Sequence, residues 1–256
     1  MEYEIKKGAL SVRVDALGAE LAAIEYAGAG YLWPGGSEWP RRAPVCCPWC
    51  GVVEGGEFCH GGRKYAAGRH GFVRDREHTL IARSAESLTL ALEVLPDDPE
   101  WPWPFALTAR FEAREAALSA AYELINTGSE PMPLQLGFHP GFTAPAGSLV
   151  RAEKPDFPGG ADTLAVASGV FDTDSVNLSR PASKWFRLER PDGRSVTVDA
   201  EGYGWFLVWG APGLSPFVCL EPWTGFPGPG GLFSRPGAVS LAPGERFKRT
   251  LNISLT

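Results

Sequence analysis

The sequence has 256 residues, of which 44% are hydrophobic and 21% are charged, and its formal net charge is −6. The apolar fraction is too high for a disordered chain, and the negative charge argues against nucleic acid or an anionic membrane surface as a partner. No apolar run approaches the ~20 residues of a membrane span, and the amino terminus lacks an apolar signal core. Five cysteines make a poor disulfide framework, so we expect a reducing, cytoplasmic environment.

Alternation of apolar and polar residues predicts β-strands along most of the chain. In chain order, the predicted strands are 77–84, 87–95, 105–114, 117–126, 185–190, 194–199, 205–209, 216–220 and 247–253. The first six form three predicted antiparallel hairpins of consecutive segments. Glycine and proline make up about a fifth of the residues, which disfavours helices. We therefore predict an all-β fold, an antiparallel sandwich forming a single domain over residues 1–256.

Three stretches rich in glycine and proline interrupt the alternation, namely residues 34–71, 96–104 and 222–237. Loops on a rigid β scaffold commonly carry binding and catalytic residues. The residues whose side chains could best take part in catalysis or binding lie in these stretches or close to strand ends. This predicts a site formed by the loops.

His139 is a candidate for acid–base chemistry. Pro140 favours an extended backbone at His139, and Gly137 and Gly141 allow close approach of a ligand or of another segment. A histidine at such a strand end is either a general acid or a side chain hydrogen-bonded at the sheet edge.

Glu221 directly follows the apolar segment 216–220 and has no basic residue near it in the sequence. Burial at that position would raise the pKa of the carboxyl group and suit it to act as a general base. The structural alternative is a glutamate paired with an arginine at the end of the sheet.

The segment 68–77 concentrates charge in what reads as a short strand. Alternation would place His70, Phe72 and Arg74 on one face, where they can point at one ligand. The guanidinium of an arginine suits sugar hydroxyls or a phosphate. The alternative is a solvated strand with cross-strand ion pairs.

Three motifs together resemble the aldose 1-epimerase (galactose mutarotase-like) family, and among its branches the LacX-like proteins. They are His-Gly-Phe-Val-Arg-Asp at 70–75, Gly-Phe-His-Pro at 137–140 and Cys-Leu-Glu-Pro-Trp at 219–223, in the order and similar spacing of the family. The resemblance extends over roughly residues 10–250. It implies a large antiparallel β-supersandwich and an isomerase that interconverts the α and β anomers of a hexose without metal or organic cofactor.

The resemblance also implies roles for individual residues. The general acid that it implies is His139, and the general base is Glu221. Activity should therefore fall when Glu221 is protonated at low pH and when His139 is deprotonated at high pH. The substrate-binding residues that it implies are His70, Arg74 and Asp174, with Asp172 competing for the position of Asp174.

Tryptophan offers a flat apolar surface to a sugar ring. Trp49 or Trp223 is expected to stack on the substrate. Trp205 and Trp209 lie on an alternating strand and are expected in the core.

The stretch 44–53 departs from the LacX-like pattern, because the arginine that binds sugar in that branch is missing. It resembles instead the hexose-6-phosphate mutarotases, in which an arginine shortly before the motif contacts the phosphate. Arg42 is expected in that role, and Arg41 is the alternative.

Other readings stay open from the sequence. The thiols of Cys47, Cys50 and Cys59 with His60 could supply four zinc ligands, Cys47 and Cys50 could form a redox dithiol, or all could simply be packed. The function could be that of a mutarotase for a free hexose, a mutarotase for a hexose 6-phosphate, or a non-catalytic carbohydrate-binding protein. In each case the partner is a small sugar, and the chain could be a monomer or a homodimer.

Overall fold

The computed structural model describes all 256 residues and contains β-strands and short 3-10 helical turns. The strands in chain order are β1 (Glu2–Lys7), β2 (Leu10–Asp15), β3 (Glu20–Tyr26), β4 (Ala29–Gly30), β5 (Val45–Cys46), β6 (Glu57–His60), β7 (Arg63–Ala66), β8 (Thr79–Arg83), β9 (Ser87–Val94), β10 (Phe105–Arg114), β11 (Ala117–Asn126), β12 (Met132–Leu134), β13 (Gly137–Phe138), β14 (Gly141–Thr143), β15 (Leu149–Ala152), β16 (Thr163–Ala165), β17 (Val176–Ser179), β18 (Trp185–Glu189), β19 (Ser195–Asp199), β20 (Trp205–Trp209), β21 (Phe217–Trp223), β22 (Val239–Leu241) and β23 (Arg246–Leu255). The helical turns are Glu54–Gly56, Val73–Asp75, Pro158–Gly160 and Leu232–Ser234. None of the helical segments has the length and apolar character that crossing a membrane requires.

Three sheets build the molecule, and every strand ladder in them is antiparallel. The largest sheet has nine strands in the order β16-β15-β18-β19-β23-β11-β10-β9-β8. A second sheet has the order β17-β20-β21-β13-β5, with β14 also paired to β21, and the amino-terminal sheet has the order β1-β2-β3-β4. The pairs β6-β7 and β12-β22 complete the fold. The prediction of an all-β, antiparallel sandwich is confirmed.

The core lies between the sheets, where alternating apolar side chains of facing strands meet. In β10, for example, every second residue from Phe105 to Ala113 is buried. Across the layers, the rings of Phe186 and Phe206 stack with centroids 3.9 Å apart, which joins β18 of the large sheet to β20 of the second sheet. Each such aromatic side chain contributes about 1.5–3 kcal/mol through burial.

The three predicted hairpins are confirmed as β8–β9, β10–β11 and β18–β19. The predicted strand 216–220 is wrong at its end, because β21 continues through Glu221 to Trp223. The amino-terminal sheet was not predicted, nor was the β6–β7 hairpin, which lies inside the predicted loop 34–71.

The carboxyl-terminal strand β23 occupies a central position in the large sheet. It pairs with β11 along nearly its whole length and with β19 near its end, from Val196↔Leu255 to Val198↔Ile253. The strands on its two sides come from separate stretches of the chain, with β8–β11 on one side and β15, β16, β18 and β19 on the other. β23 therefore joins two halves of the sheet that do not otherwise pair.

Candidate active site

Strand β21 forms the floor of a cleft on the outer face of the second sheet. Val218 and Leu220 point into the main core, whereas Glu221 and Trp223 line the cleft. The cleft has a volume of about 480 Å³ and lies at the loops around residues 39–41, 69–74 and 171–175. Its size suits a small ligand such as a monosaccharide.

His139 and Glu221 face one another at the base of the cleft. The Nε2 atom of His139 lies 3.3 Å from Oε2 of Glu221. The imidazole is held by the ring of Trp39, which stacks on it at a centroid distance of 5.0 Å, and by its backbone N–H, which donates to the carbonyl of Pro44. Both side chains are buried, with residue exposures of 8% for His139 and 1% for Glu221.

Burial shifts the pKa values of this pair in opposite directions. It raises the pKa of the Glu221 carboxyl well above its usual range, and the nearby Asp174 adds to that rise. It lowers the pKa of His139 below its usual range. Both shifts favour the uncharged groups, so the pair shares one proton, which lies on the carboxyl group. The expectation of a protonated His139 beside an ionised Glu221 is therefore corrected, although the number of protons on the pair is the same.

No arginine or lysine pairs with Glu221, whose Oε2 atom is buried without a hydrogen-bond partner. The structural alternative for this residue, an ion pair at the end of the sheet, is therefore wrong. Nδ1 of His139, Nε1 of Trp223 and Nε of Arg74 are also buried without partners. An unsatisfied buried polar group costs about 1–3 kcal/mol. Their concentration at one cleft is typical of a site that a polar ligand completes.

His70 presents a hydrogen-bond donor to the cleft. The Nδ1 atom of its ring accepts a hydrogen bond from the backbone N–H of Gly51 at 3.0 Å. The backbone N–H of His70 in turn donates to the Gly51 carbonyl at 2.7 Å. Burial lowers the pKa of His70 to about 2, so the ring is neutral. Because Nδ1 accepts, the proton of the neutral ring is on Nε2. His70 has φ +68°, and Gly71, at φ +74°, has no room for a Cβ atom, which would lie 2.0 Å from the Cys47 carbonyl oxygen.

The segment after His70 is a 3-10 turn, Val73–Asp75, instead of the predicted strand. The expected shared face is wrong, because Phe72 packs in the core while His70 and Arg74 line the cleft. Arg74 is fixed by donation from its Nη2 atom to the carbonyl of Arg69 at 2.7 Å.

Arg41 and Arg69 line the cleft beside Arg74. Arg41 is oriented by Asp75, whose Oδ1 atom accepts from its Nη2 atom at 2.7 Å. Arg42 points elsewhere. Its Nε atom donates to the carbonyl of Pro34 at 2.9 Å, and it does not line the cleft. The expectation that Arg42 reaches the substrate is therefore corrected in favour of Arg41.

Asp172 and Asp174 also line the cleft. The Oδ1 atom of Asp172 accepts the backbone N–H of Gly213 at 2.7 Å, which closes its own loop. Asp174 accepts the backbone N–H of Ser175 at 2.7 Å and raises the pKa of Glu221. Of the two aspartates, Asp174 is thus the one that acts electrostatically on Glu221, and its predicted contact with the substrate stays a prediction.

Residues 1–157 match the family model described as aldose 1-epimerase. The chain belongs to the aldose 1-epimerase family. The matched segment includes His70, Arg74 and His139 and ends before Asp174 and Glu221. The curated protein LacX of Lactococcus lactis subsp. lactis, in its chromosomal form, is 26% identical over 266 aligned residues, which cover 88% of each chain.

Solved structures share the fold over the whole chain. A galactose mutarotase related enzyme from Lactobacillus acidophilus has a TM-score of 0.91 at 21% identity, and the match covers 100% of this chain and 97% of that one. A galactose mutarotase-like protein from Lactobacillus casei has a TM-score of 0.88, also at 21% identity, with both chains fully covered. The galactose 1-epimerase of Lactobacillus acidophilus has a TM-score of 0.71 at 14% identity, covering 100% and 94%.

The aromatic lining of this aldose 1-epimerase family member differs from the expectation. Trp223 lines the cleft as predicted, but Trp49 is buried in the core, where its Nε1 atom donates to the carbonyl of Gly68. Trp209 was expected in the core and instead lines the cleft, its ring 5.6 Å from that of His139. Trp205 shares that outer face of β20 but packs on Phe226 away from the cleft. The inner face of β20 carries phenylalanine and valine instead.

Trp39 was missed from the sequence because it lies in the irregular stretch 34–71. Its signal was the pair Trp39-Pro40, an aromatic residue in a rigid loop. It stacks on His139 and contacts Trp209 edge to face at 5.7 Å, so the two tryptophans form one wall of the cleft beside His139.

The proposed zinc ligands are not gathered into one site. Cys47 and Cys50 are buried, Cys59 is exposed on β6, and the His60 ring packs on Trp103. The group of possible ligand atoms that does lie together is His139, Cys219 and Glu221.

Arg235 fixes the loop that carries Gly51, the partner of His70. Arg235 is 3% exposed, and its Nη1 atom donates to the carbonyl of Val52 at 2.8 Å while Nη2 donates to the carbonyl of Cys50. The backbone carbonyls on either side of Gly51 are thereby held by Arg235, which is 185 residues from Cys50 in the sequence. The predicted loop 222–237 therefore supports the site without lining it, apart from Trp223.

Proposed function

We propose that the protein is an aldose 1-epimerase that interconverts the α and β anomers of a hexose by acid–base catalysis. The observation that carries the proposal is the contact of 3.3 Å between His139 and Glu221 at the base of the cleft, with Glu221 buried and without an arginine or lysine partner. A buried carboxyl group without an arginine or lysine partner lowers the stability of the fold, and a protein that only binds sugar has no need of such a group.

Anomer exchange requires removal of the proton from the anomeric hydroxyl and protonation of the ring oxygen. The C1–O5 bond then breaks, the C1–C2 bond rotates, and the aldehyde is attacked on its other face by the same oxygen. O1 and O5 are both bonded to C1, so one base and one acid in mutual contact can reach both. We assign Glu221 as the base and His139 as the acid, with the roles exchanged on ring closure.

The single proton of the pair is compatible with this assignment. Before substrate binds, the proton is on Glu221. Transfer of this proton across the 3.3 Å contact gives a protonated His139 and an ionised Glu221. The transfer exchanges no proton with solvent. The N–H groups of the Arg74 guanidinium and of His70 Nε2 stabilise the ionised form of Glu221. They also orient the sugar hydroxyls and so contribute to catalysis by positioning the substrate.

The test is anomer exchange followed by polarimetry and by NMR, beginning with α-glucose and α-galactose. The Glu221→Gln variant should lose about 10²–10⁴-fold in rate while it still binds sugar in calorimetry. The matched control Glu201→Gln, at a glutamate with a 72% exposed side chain, should keep the wild-type rate. Wild-type protein that binds sugar without accelerating exchange would establish the carbohydrate-binding alternative instead.

A second candidate substrate is a hexose 6-phosphate, because Arg41, Arg69 and Arg74 give the cleft a cationic wall. A charge-assisted hydrogen bond contributes about 1.5–3 kcal/mol, which corresponds to about 10–150-fold in affinity. Arg41→Gln should therefore raise KM for glucose 6-phosphate at least about tenfold and leave KM for glucose unchanged. Arg42→Gln, one residue away and outside the cleft, is the control. Equal KM values for the phosphorylated sugar in wild type and Arg41→Gln would remove this candidate.

A further inference from the structure

Cys219 stands two residues before Glu221 on β21, so both side chains lie on the same face of the strand. One nitrogen of His139, the sulfur of Cys219 and one carboxylate oxygen of Glu221 all lie within 4.8 Å of one another. The mechanism proposed above uses His139 and Glu221 but has no use for the thiol. We infer that these three residues form a binding site for a thiophilic divalent cation such as Zn²⁺, and, resting on the proposed function, that the bound cation inhibits anomer exchange.

The spacing of the ligand atoms fits a tetrahedral ion. With Zn–N and Zn–O bonds of about 2.0 Å and a Zn–S bond of about 2.3 Å, the nitrogen and oxygen lie about 3.3 Å apart and the sulfur about 3.5 Å from each. The observed separation of His139 Nε2 and Glu221 Oε2 is 3.3 Å. Since the sulfur is at most 4.8 Å from one ring nitrogen of His139 and one carboxylate oxygen of Glu221, small side-chain rotations of little more than about 1 Å bring the three ligands to these distances.

The charges and the donor types also fit. Binding of the cation releases the protons of the Cys219 thiol and the Glu221 carboxyl group to solvent. The resulting thiolate and carboxylate neutralise a divalent cation, and a neutral imidazole adds no charge, so the ion is bound in the protein interior without net charge. A set of one nitrogen, one sulfur and one oxygen suits Zn²⁺ and Co²⁺, whereas Mg²⁺ requires oxygen ligands. The Oε2 atom of Glu221, which is 1% exposed and has no hydrogen-bond partner, is an available ligand.

The site has a fourth position that opens to the cleft. His139 and Glu221 line the cleft, and Cys219 lies behind them with the partly buried rings of Trp39 and Trp209 packed against its cluster. Three protein ligands and one open position are typical of zinc sites that accept water or a substrate oxygen. A cation there occupies the lone pairs that His139 and Glu221 use to move protons, and it stands where the anomeric oxygens must bind.

The experiment is a titration of the purified protein with Zn²⁺, Co²⁺ and Mg²⁺, followed by calorimetry and by absorption. We expect one Zn²⁺ per chain, a thiolate-to-cobalt charge-transfer band with Co²⁺, and no binding of Mg²⁺. Cys219→Ala should weaken Zn²⁺ binding by at least about 100-fold, because loss of a mere outer-shell partner already costs 10–100-fold. The variant should also lose the cobalt band.

The matched control is Cys59→Ala. Cys59 is the exposed cysteine and precedes His60 on β6, so it is the other place at which a soft cation would bind. Zn²⁺ binding that survives in Cys219→Ala and disappears in Cys59→Ala would overturn the inference. Cys219→Ser, which keeps the size of the side chain, serves if the alanine variant fails to fold, and it should likewise lose the cobalt band.

Inhibition is measured separately from binding. At about ten times its Kd, Zn²⁺ should slow anomer exchange about elevenfold in the wild type, in competition with sugar, and should not slow Cys219→Ala. Binding through Cys219 without any exchange activity would leave the metal site standing and refute the proposed function. Exchange activity with Zn²⁺ binding independent of Cys219 would refute the metal site alone.

Discussion

Replacing Glu221 by glutamine should make the folded protein more stable, and increasingly so as the pH rises. Burial raises the pKa of Glu221 in the folded state above its usual value of 4.5. Below pH 4.5 both the folded and the unfolded chain are protonated at this residue. Above it the unfolded chain ionises and the folded chain does not, so the free energy of unfolding falls as the pH rises through the window up to the folded pKa.

The magnitude follows from the linkage relation. One proton held by the folded state alone lowers the free energy of unfolding by about 1.4 kcal/mol per pH unit, or at most about 2.7 kcal/mol between pH 6 and pH 8. For a chain of this length, 1 kcal/mol corresponds to about 2–4 °C in Tm. The Tm difference between Glu221→Gln and the wild type should therefore widen over this interval, by at most about 5–10 °C.

Differential scanning calorimetry at pH 6, 7 and 8 measures this difference, with Glu201→Gln as the control that should follow the wild type. His139, whose pKa is lowered by burial, contributes a pH dependence below its usual 6.5 that is common to all three proteins. A glutamine variant that is less stable than wild type at pH 8, or a Tm difference independent of pH, would refute the assignment of Glu221 as an uncompensated buried carboxyl group kept for catalysis.

Three further predictions concern the site. The rate of anomer exchange should stay level across neutral pH, because the pair keeps its one proton between the lowered pKa of His139 and the raised pKa of Glu221. A pH–rate profile with a narrow maximum would contradict this. Gly71→Ala should abolish sugar binding, since its Cβ atom would lie 2.0 Å from a backbone carbonyl oxygen; isothermal calorimetry together with Tm measures the loss. Trp209→Leu should raise KM severalfold, whereas Trp205→Leu on the same face but outside the cleft should leave it unchanged in the same exchange assay.

The fold was largely predictable because the two strands of an antiparallel hairpin and the turn between them lie in one continuous stretch of the sequence. β10 and β11 alternate without interruption and pair in a register set by a two-residue turn, Glu115-Ala116. The β6–β7 hairpin escaped prediction because its alternation is weak, with only Phe58 and Tyr65 buried. Alternation identifies such strands only where one face is covered along the whole length.

The site was predictable only in part, because alternation gives two faces of a strand but not which face meets the core. On β20, Trp209 and Trp205 do share a face, yet that face is the outer one, and the sandwich layer to which β20 belongs decides this. The choice between Arg41 and Arg42 could not be predicted either, because both lie in an irregular segment before β5 in which side-chain directions follow no period. His70 is held by a backbone conformation with positive φ that no periodic pattern indicates.

The central position of β23 has a consequence for how the chain is made. Until residues 246–255 leave the ribosome, β11 and β19 each present an unpaired edge, and the two halves of the large sheet cannot join. Exposed strand edges pair readily with other chains, so the nascent protein passes through a stage at which it is prone to aggregate. Loss of this last strand would divide the nine-stranded sheet into two sheets of four, and a chain cut there should be recovered as insoluble material.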